Sequence, residues 1–466
     1  RVGYLVQLAQ RQVALVELPV HQPLVGDLID QRLDPARGRL AECPRRALDR
    51  RSSGRRRAMS RRTNSRIAQS KRGRLTRRDL LARAAGVVGA AATAPVAGQQ
   101  SIDTTRRLGR GPNGLDQRSP FVTPRRDPSS TSSRTPLQDL RGTITPADLH
   151  FERHHGGVPE IDPGQYELLV HGMVDRPLIF TMEELRRLPS VTRLHFIECA
   201  GNRANRRHKT VQETHGMTSC AEWTGVLLST LLKEAGVQDD GSWIVAEGVE
   251  EVKGASSIPM AKAMEDCLVC YGMNGEAVRP QQGYPLRLLV PGFEGILSVK
   301  WLRRIKVVDQ FYMTYNDYGH LRQESDDAAL AMQIGPKSVI TFPSGEQKLP
   351  GPGFYEISGL AWSGGGAVSK VEVSTDSGRS WVEAEIRGTA HPMAHTRFSL
   401  QWDWNGQECE LQSRCTDELG SVQPSRAQIA EFWNQPPDQP VRVRGQDNSI
   451  QPWRVESDGS VHNAIS

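Results

Sequence analysis

His195-Phe-Ile-Glu-Cys199-Ala-Gly-Asn-Arg203 ends an apolar, strand-like run on a cysteine and turns at once. Ala200 and Gly201 leave the sulfur clear of bulky neighbours. Asn202 and Arg203 bring an amide and a permanent positive charge within a few residues. A thiolate beside a cation has a lowered pKa and serves as a soft metal ligand or a nucleophile. Taken alone, the run fits a buried, inert thiol equally well, because free cysteine is among the most buried residue types.

Other segments decide between these readings. Phe151-Glu-Arg-His-His-Gly-Gly-Val-Pro159, Glu222-Trp-Thr-Gly225, Gly283-Tyr-Pro-Leu-Arg287 and Val299-Lys-Trp-Leu302 follow one another along the chain. A later block runs from Gly359-Leu-Ala-Trp-Ser-Gly-Gly-Gly366 to Val371-Glu-Val-Ser-Thr-Asp-Ser-Gly378. Together with Glu198-Cys-Ala-Gly-Asn-Arg203, this set resembles the sulfite oxidase family of molybdopterin enzymes over roughly residues 135 to 456. Thr135-Pro-Leu-Gln-Asp-Leu140 and the paired His154-His155 are most similar to its sulfur-oxidising, SoxC-like branch.

The resemblance implies a site. Cys199 matches the thiolate that binds molybdenum beside the pterin dithiolene and oxo groups of the cofactor. Phe151, Arg153, His155, Arg287 and Lys300 match positions that hold the pterin and its phosphate, where cations make physical sense. Arg153, Arg203 and Arg397 match the cations that hold an oxyanion substrate, a task for a planar fork that never deprotonates. Tyr318, with Tyr315 as its competitor, matches the active-site tyrosine. Trp223 matches a pocket-wall tryptophan, with plain core packing an equal reading. Gln282 stands where many members carry His before the Gly-Tyr-Pro turn, a departure that weakens a simple transfer of sulfite specificity.

Charge separates the chain into two parts. The whole is formally +6, yet residues 1–134 hold 28 Lys/Arg against 10 Asp/Glu, which leaves residues 135–466 at −12. A basic leader on an acidic body argues against nucleic-acid binding, which needs a basic face on the domain itself. No run of about eighteen apolar residues occurs, so no spanning helix is predicted.

Residues 1–58 are arginine-rich without sustained periodicity and read as an upstream non-native or disordered segment, Met59 being the first methionine. From there, a charged region, Thr76-Arg-Arg-Asp-Leu-Leu81 and the mild apolar run Ala84 to Ala94 read as a twin-arginine export signal over 59–97, with small residues for cleavage. That implies a periplasmic or otherwise extracytoplasmic protein. Residues 98–134, rich in Arg, Pro, Ser and Gly, read as a disordered linker.

The fold predicted beyond the linker is α+β. A mixed catalytic domain spans 135–330, with strands at Tyr166–Val170 and Leu286–Val290 and a capping box at Thr181-Met-Glu-Glu184 opening a helix. After Pro336, short strands punctuated by Gly, Pro and Asp read as an immunoglobulin-like β-sandwich over 336–456, with a hairpin through the Asp376-Ser-Gly turn. By the resemblance, this second domain makes a homodimer.

Three other features carry less. Cys267-Leu-Val-Cys270 lacks the His of a c-type haem attachment and a second Cys pair for zinc, and reads as a buried pair on a helix. His154-His155-Gly-Gly outlines a haem-ligating loop, but its Phe151 lead-in assigns it to the molybdenum site. Cys409 and Cys415 are candidates for a disulfide in an oxidising compartment. With no haem motif in the chain, the implied electron acceptor is a separate c-type cytochrome, SoxD-like, and the implied substrate a sulfane sulfur on a carrier protein. A sulfite dehydrogenase acting on free sulfite is the runner-up. A non-catalytic assembly subunit would have lost Cys199 or both motif arginines, and it keeps them.

Overall fold

The structure, a computed structural model, describes residues 118–250, 254–314, 332–432, 434–435 and 446–465. The leader and both candidate tyrosines, Tyr315 and Tyr318, lie outside the described residues.

The architecture is α+β. Two five-stranded sheets build the first part of the body. In one, Ser190–Glu198 pairs with Thr218–Leu227, which pairs with Leu268–Met273; Glu276–Ala277 and Arg287–Leu289 both add to that last strand. In the other, Leu302–Val308 runs parallel to Glu167–Gly172 and antiparallel to Trp243–Gly248, with Leu178–Thr181 and Ala255–Pro259 at the edges. The capping box is present: Thr181 accepts from the Glu184 amide, the Glu184 carboxylate accepts from the Thr181 amide, and the helix runs Met182–Arg187. Helix Leu228–Ala235 buries Leu228, Leu231, Leu232 and Ala235 along one face and ends on Gly236 at φ 72°. A left-handed C-terminal residue of that kind favours glycine.

The second part is a sandwich. One sheet orders Lys337–Phe342, Gly353–Trp362, Thr396–Trp404 and Glu385–Arg387. The other orders Val382–Glu383, Val368–Ser374, Cys409–Asp417, Trp453–Val455 and Val461–Asn463. In chain order this is the ABED and CFG arrangement of an immunoglobulin domain. The predicted hairpin is there, Val373 opposite Val382 across the turn that places Ser377 and Gly378 at positive φ.

The two parts share one interior. Phe196, Cys220 and Leu137 pack into the same cluster as Trp362, Phe398 and Trp453 of the sandwich. The Phe196 amide donates to Met393 O at 2.9 Å, and Thr218 Oγ1 lies 3.0 Å from His395 Nε2. At the crossing of Gly292 and Gly364, a Cβ on Gly364 would stand 2.0 Å from Gly292 O, so only glycine permits the approach.

Three expectations need correction. Residues 127–134, assigned to the linker, form a hairpin: Asp127–Pro128 pairs with Ser132–Arg134, which adds to the edge of Glu152–Arg153. A polar segment that cannot build a core can still be ordered by an edge that needs partners. The Cys267/Cys270 pair lies not on a helix but at the start of strand Leu268–Met273, which turns through Asn274-Gly275, both at positive φ. Asn-Gly between strands is the hairpin signal of a type I′ turn. Cys409 and Cys415 sit on one strand and are both free. Six residues of strand separate them by about 20 Å, far beyond disulfide reach.

Buried histidines give the fold a pH dependence. His150 and His395 are held down to about 3 and His195 to about 4, burial being the main cause in each. As pH falls below the ordinary value near 6.5, the unfolded chain takes up protons that the folded chain refuses, so stability is lost toward acid. Between about pH 7 and about pH 5 each ring should cost on the order of 1–2 kcal/mol. Urea unfolding at the two pH values checks this; an unchanged midpoint would show that these rings are protonated in the fold.

Candidate active site

The cysteine turn is fixed atom by atom. Strand Ser190–Glu198 delivers the chain to Cys199, whose amide donates to Met217 O at 3.0 Å. The turn closes when the Asn202 amide donates to Cys199 O at 2.8 Å. The Asn202 side chain then ties both flanks: its Nδ2 donates to Glu198 Oε1 at 2.9 Å and its Oδ1 accepts the Met217 amide at 2.9 Å. The half-buried Cys199 packs on the apolar cluster of Phe151, Ile197, Met217 and Trp223. Burial pushes its thiol above the usual range, while the Gly201 amide, 3.4 Å from Sγ, and the charge of Arg153 pull it down. The net effect is upward, so the thiol keeps its proton until a metal's charge replaces it.

Around the turn stand cations held by neutral groups. Arg153 donates to the carbonyls of His154 at 2.6 Å and Thr131 at 3.4 Å. Arg287, 4% exposed, donates to Gln282 O and Oε1 and to Ser298 O and lies over the Trp223 ring at 5.2 Å; its buried Nε has no partner. Lys300 Nζ donates to Arg153 O at 2.7 Å and stands 4.3 Å from the centre of the Trp301 ring. None of the three makes an ion pair among the described residues. Burial first, then the Arg287 charge, push Lys300 down to about 7, and burial lowers Arg287 to about 10. One buried and two half-buried cations hydrogen-bonded only to carbonyls and amides are a fitting cradle for an anion. With one soft thiolate beside them, this donor set fits a metal carried by an organic ligand that bears a phosphate.

His155 is placed through its backbone. Its amide and that of Gly156, the latter at 2.9 Å, donate to Glu250 Oε1, and its ring Nδ1 lies 3.6 Å from the same oxygen. The Phe151 carbonyl accepts from Gln282 Nε2 at 2.7 Å, so the residue that departs from the family pattern bridges Phe151 and Arg287. Arg203 is half-buried, its Nε donating to Ala200 O at 2.9 Å within the turn.

Of the remaining predicted residues, Trp223 has the core packing that was its alternative reading, and Arg397 lies elsewhere. Trp223 is wholly buried, its indole donating to His195 O at 3.2 Å beneath Arg287. It supports a cation from behind rather than lining an open wall. Arg397 gives its guanidinium to Gly142 O at 2.7 Å, Leu140 O at 2.8 Å and Thr341 Oγ1. It clamps the 140–142 loop to the sandwich, and the structure does not bring it to the Cys199 turn. Sequence reading gave no role to Glu198, Glu250 or Lys337. Glu198 stood inside the quoted motif, and a charge flanked by Phe196, Ile197 and Cys199 was the available signal.

Residues 155–316 match the family model described as an oxidoreductase molybdopterin binding domain, and residues 328–435 match a Mo-co oxidoreductase dimerisation domain. The chain is 32% identical over 359 residues to a nitrate reductase using NAD(P)H from Hordeum vulgare, covering 65% of this chain and 39% of that protein. It is 32% identical over 323 residues to the sulfite oxidase of Gallus gallus, covering 62% of this chain and 70% of that protein. The chain thus spans about two fifths of the length of the plant nitrate reductases it matches. Among solved structures it superposes on the sulfane dehydrogenase SoxCD of Paracoccus pantotrophus with a TM-score of 0.69 and 39% identity, covering 77% of this chain and 96% of that one.

The Lys300 environment generates a pH prediction. Above about 7 the ammonium gives up its charge, and its attraction for an anion goes with it. Capture of the phosphate-bearing pterin by cofactor-free protein should therefore weaken as pH rises through 7. Lys300→Met should flatten that dependence and weaken capture roughly tenfold or more. Pterin fluorescence retained per chain measures both; a steep pH dependence surviving in the variant would assign the effect elsewhere.

Proposed function

Because the chain belongs to the sulfite oxidase family of molybdopterin oxidoreductases, we propose that it oxidises a sulfur substrate: a sulfane sulfur carried on a protein thiol, with electrons passed to a c-type cytochrome. The carrying observation is that Cys199 and Arg153 are electrostatic neighbours in a chain of which 77% superposes on 96% of a sulfane dehydrogenase chain. When bound, the molybdenum cofactor supplies the two-electron and oxygen-transfer chemistry.

The chain's own residues supply binding and orientation. Cys199 would hold the metal. Arg287, buried, and Lys300, half-buried, would neutralise the phosphate, whose charge would meet theirs. Arg153 and Arg203 would hold the oxygen-bearing product, whose negative charge grows as the sulfur is oxidised. The acidic body carries export and assembly as part of the same reading: the Thr76-Arg-Arg-Asp-Leu-Leu81 leader would send the folded protein out of the cytoplasm, and the sandwich would pair two copies. A SoxD-like cytochrome subunit would take the electrons. Gln282 favours this reading over free sulfite, since a neutral amide stands in the slot where many sulfite oxidases carry a histidine.

Two experiments test it. Cys199→Ser should leave the unfolding midpoint in place and lower turnover by more than about a hundredfold; unchanged turnover would remove the cysteine from the metal. The second is cytochrome c reduction by molybdenum-loaded protein with its cytochrome subunit. It should proceed with a carrier-bound persulfide and fail with free sulfite. Robust turnover of free sulfite would instead make the chain a sulfite dehydrogenase, and reduction of nitrate by a viologen-reduced protein would align it with the plant enzymes.

A further inference from the structure

We propose that Lys337, on the first strand of the sandwich, is a positioning residue for Cys199, acting across the two domains through Glu198 and Asn202. This rests on the reading of Cys199 as the metal ligand and adds a residue to that machinery.

The geometry is specific. Lys337 is 2% exposed, and its Nζ donates to Glu198 Oε1 at 2.7 Å and to Asn202 O at 2.8 Å. One ammonium therefore grips the residue before the cysteine and the residue three after it. Glu198 is 2% exposed and fully bonded: Oε1 takes Lys337 and Asn202, and Oε2 takes the Trp362 indole N–H at 2.6 Å. Its carbonyl also accepts the Gly295 amide at 2.6 Å. Both outer donors, Lys337 and Trp362, come from neighbouring sandwich strands. The chain on both sides of the thiol is thereby tied to the sandwich.

Stability alone is a poor reason for this arrangement. A buried ion pair loses as much in desolvation as it gains in attraction, and well-packed apolar residues serve a fold equally well. What it provides is a set of directional constraints converging on one turn. A ligand that must meet a metal within a few tenths of an ångström needs those constraints.

The test separates geometry from stability. Glu198→Gln and Lys337→Met alone should each lower the unfolding midpoint, because each strands a buried charge or its partner. The double variant removes both charges and should recover much of that loss, yet Cys199 should remain loosely held. In full-length protein prepared without cofactor, alkylation of Cys199 by iodoacetamide, followed by mass spectrometry of its peptide, should be about tenfold faster than in the parent. Buried Cys220 in the adjacent strand should not change. Equal Cys199 rates in parent and double variant, or a matching rise at Cys220, would overturn the proposal. If the double variant fails to fold, Trp362→Phe removes a single donor with the packing kept, and a Cys199 rate identical to the parent's would be equally decisive. Molybdenum content of the loaded parent reads the underlying ligand assignment separately, since alkylation is measured without the metal.

Discussion

Glu198 places its carboxyl group in the interior, 2% exposed, and every atom that satisfies it belongs to the turn or to the sandwich. Its donors are the side-chain amide of Asn202, the Lys337 ammonium and the Trp362 indole. An unmet carboxylate there would cost several kcal/mol, so turn, strand and sandwich are obliged to arrive together. Strand Ser190–Glu198 is thereby more than an edge of a sheet. One of its ends sets the Cys199 thiol, and its residue Phe196 enters the sandwich interior. The order of the active-site turn and the docking of the second domain are consequences of the same charge.

The opposite imbalance governs the other half of the site. Arg153, Arg287 and Lys300 gather positive charge and receive only carbonyl and amide oxygens in return. The aromatic faces of Trp223 and Trp301 soften the desolvation of two of them without neutralising it. A protein that leaves a charge deficit of this sort in its interior depends on a ligand to complete it, and gains stability by mass action when the ligand arrives. The acidic net charge of residues 135–466 makes the contrast sharper: these cations are gathered within a body of the other sign.

Much of this was legible in the chain, because local chemistry leaves local marks. The Cys199 turn, the Thr181 capping box and the Asp376-Ser-Gly hairpin each declare themselves within a few residues, and each is present in the structure. Asn274-Gly275 made the same kind of statement and places the Cys267/Cys270 pair on a strand. Long-range partners leave no such mark. Lys337 lies 139 residues from Glu198, Glu250 lies 95 from His155, and no periodicity connects them. Arg397 shows the converse difficulty: an isolated arginine on a strand has the same appearance whether it will clamp a loop or meet a substrate. The segment 127–134 was misread because its composition is that of a linker, whereas its order comes from the strand edge it covers.

The glycine crossing at 292 and 364 bears on how such a protein can descend. Two backbones that touch without room for a methyl group tolerate no side chain at either position, so a substitution at one cannot be absorbed without moving the other. Domains joined by open linkers are readily shuffled between genes. Here a recombination boundary placed between the catalytic part and the sandwich would have to bring both glycines with it. The two glycines therefore tie the catalytic part and the sandwich to one another as a matched pair of surfaces.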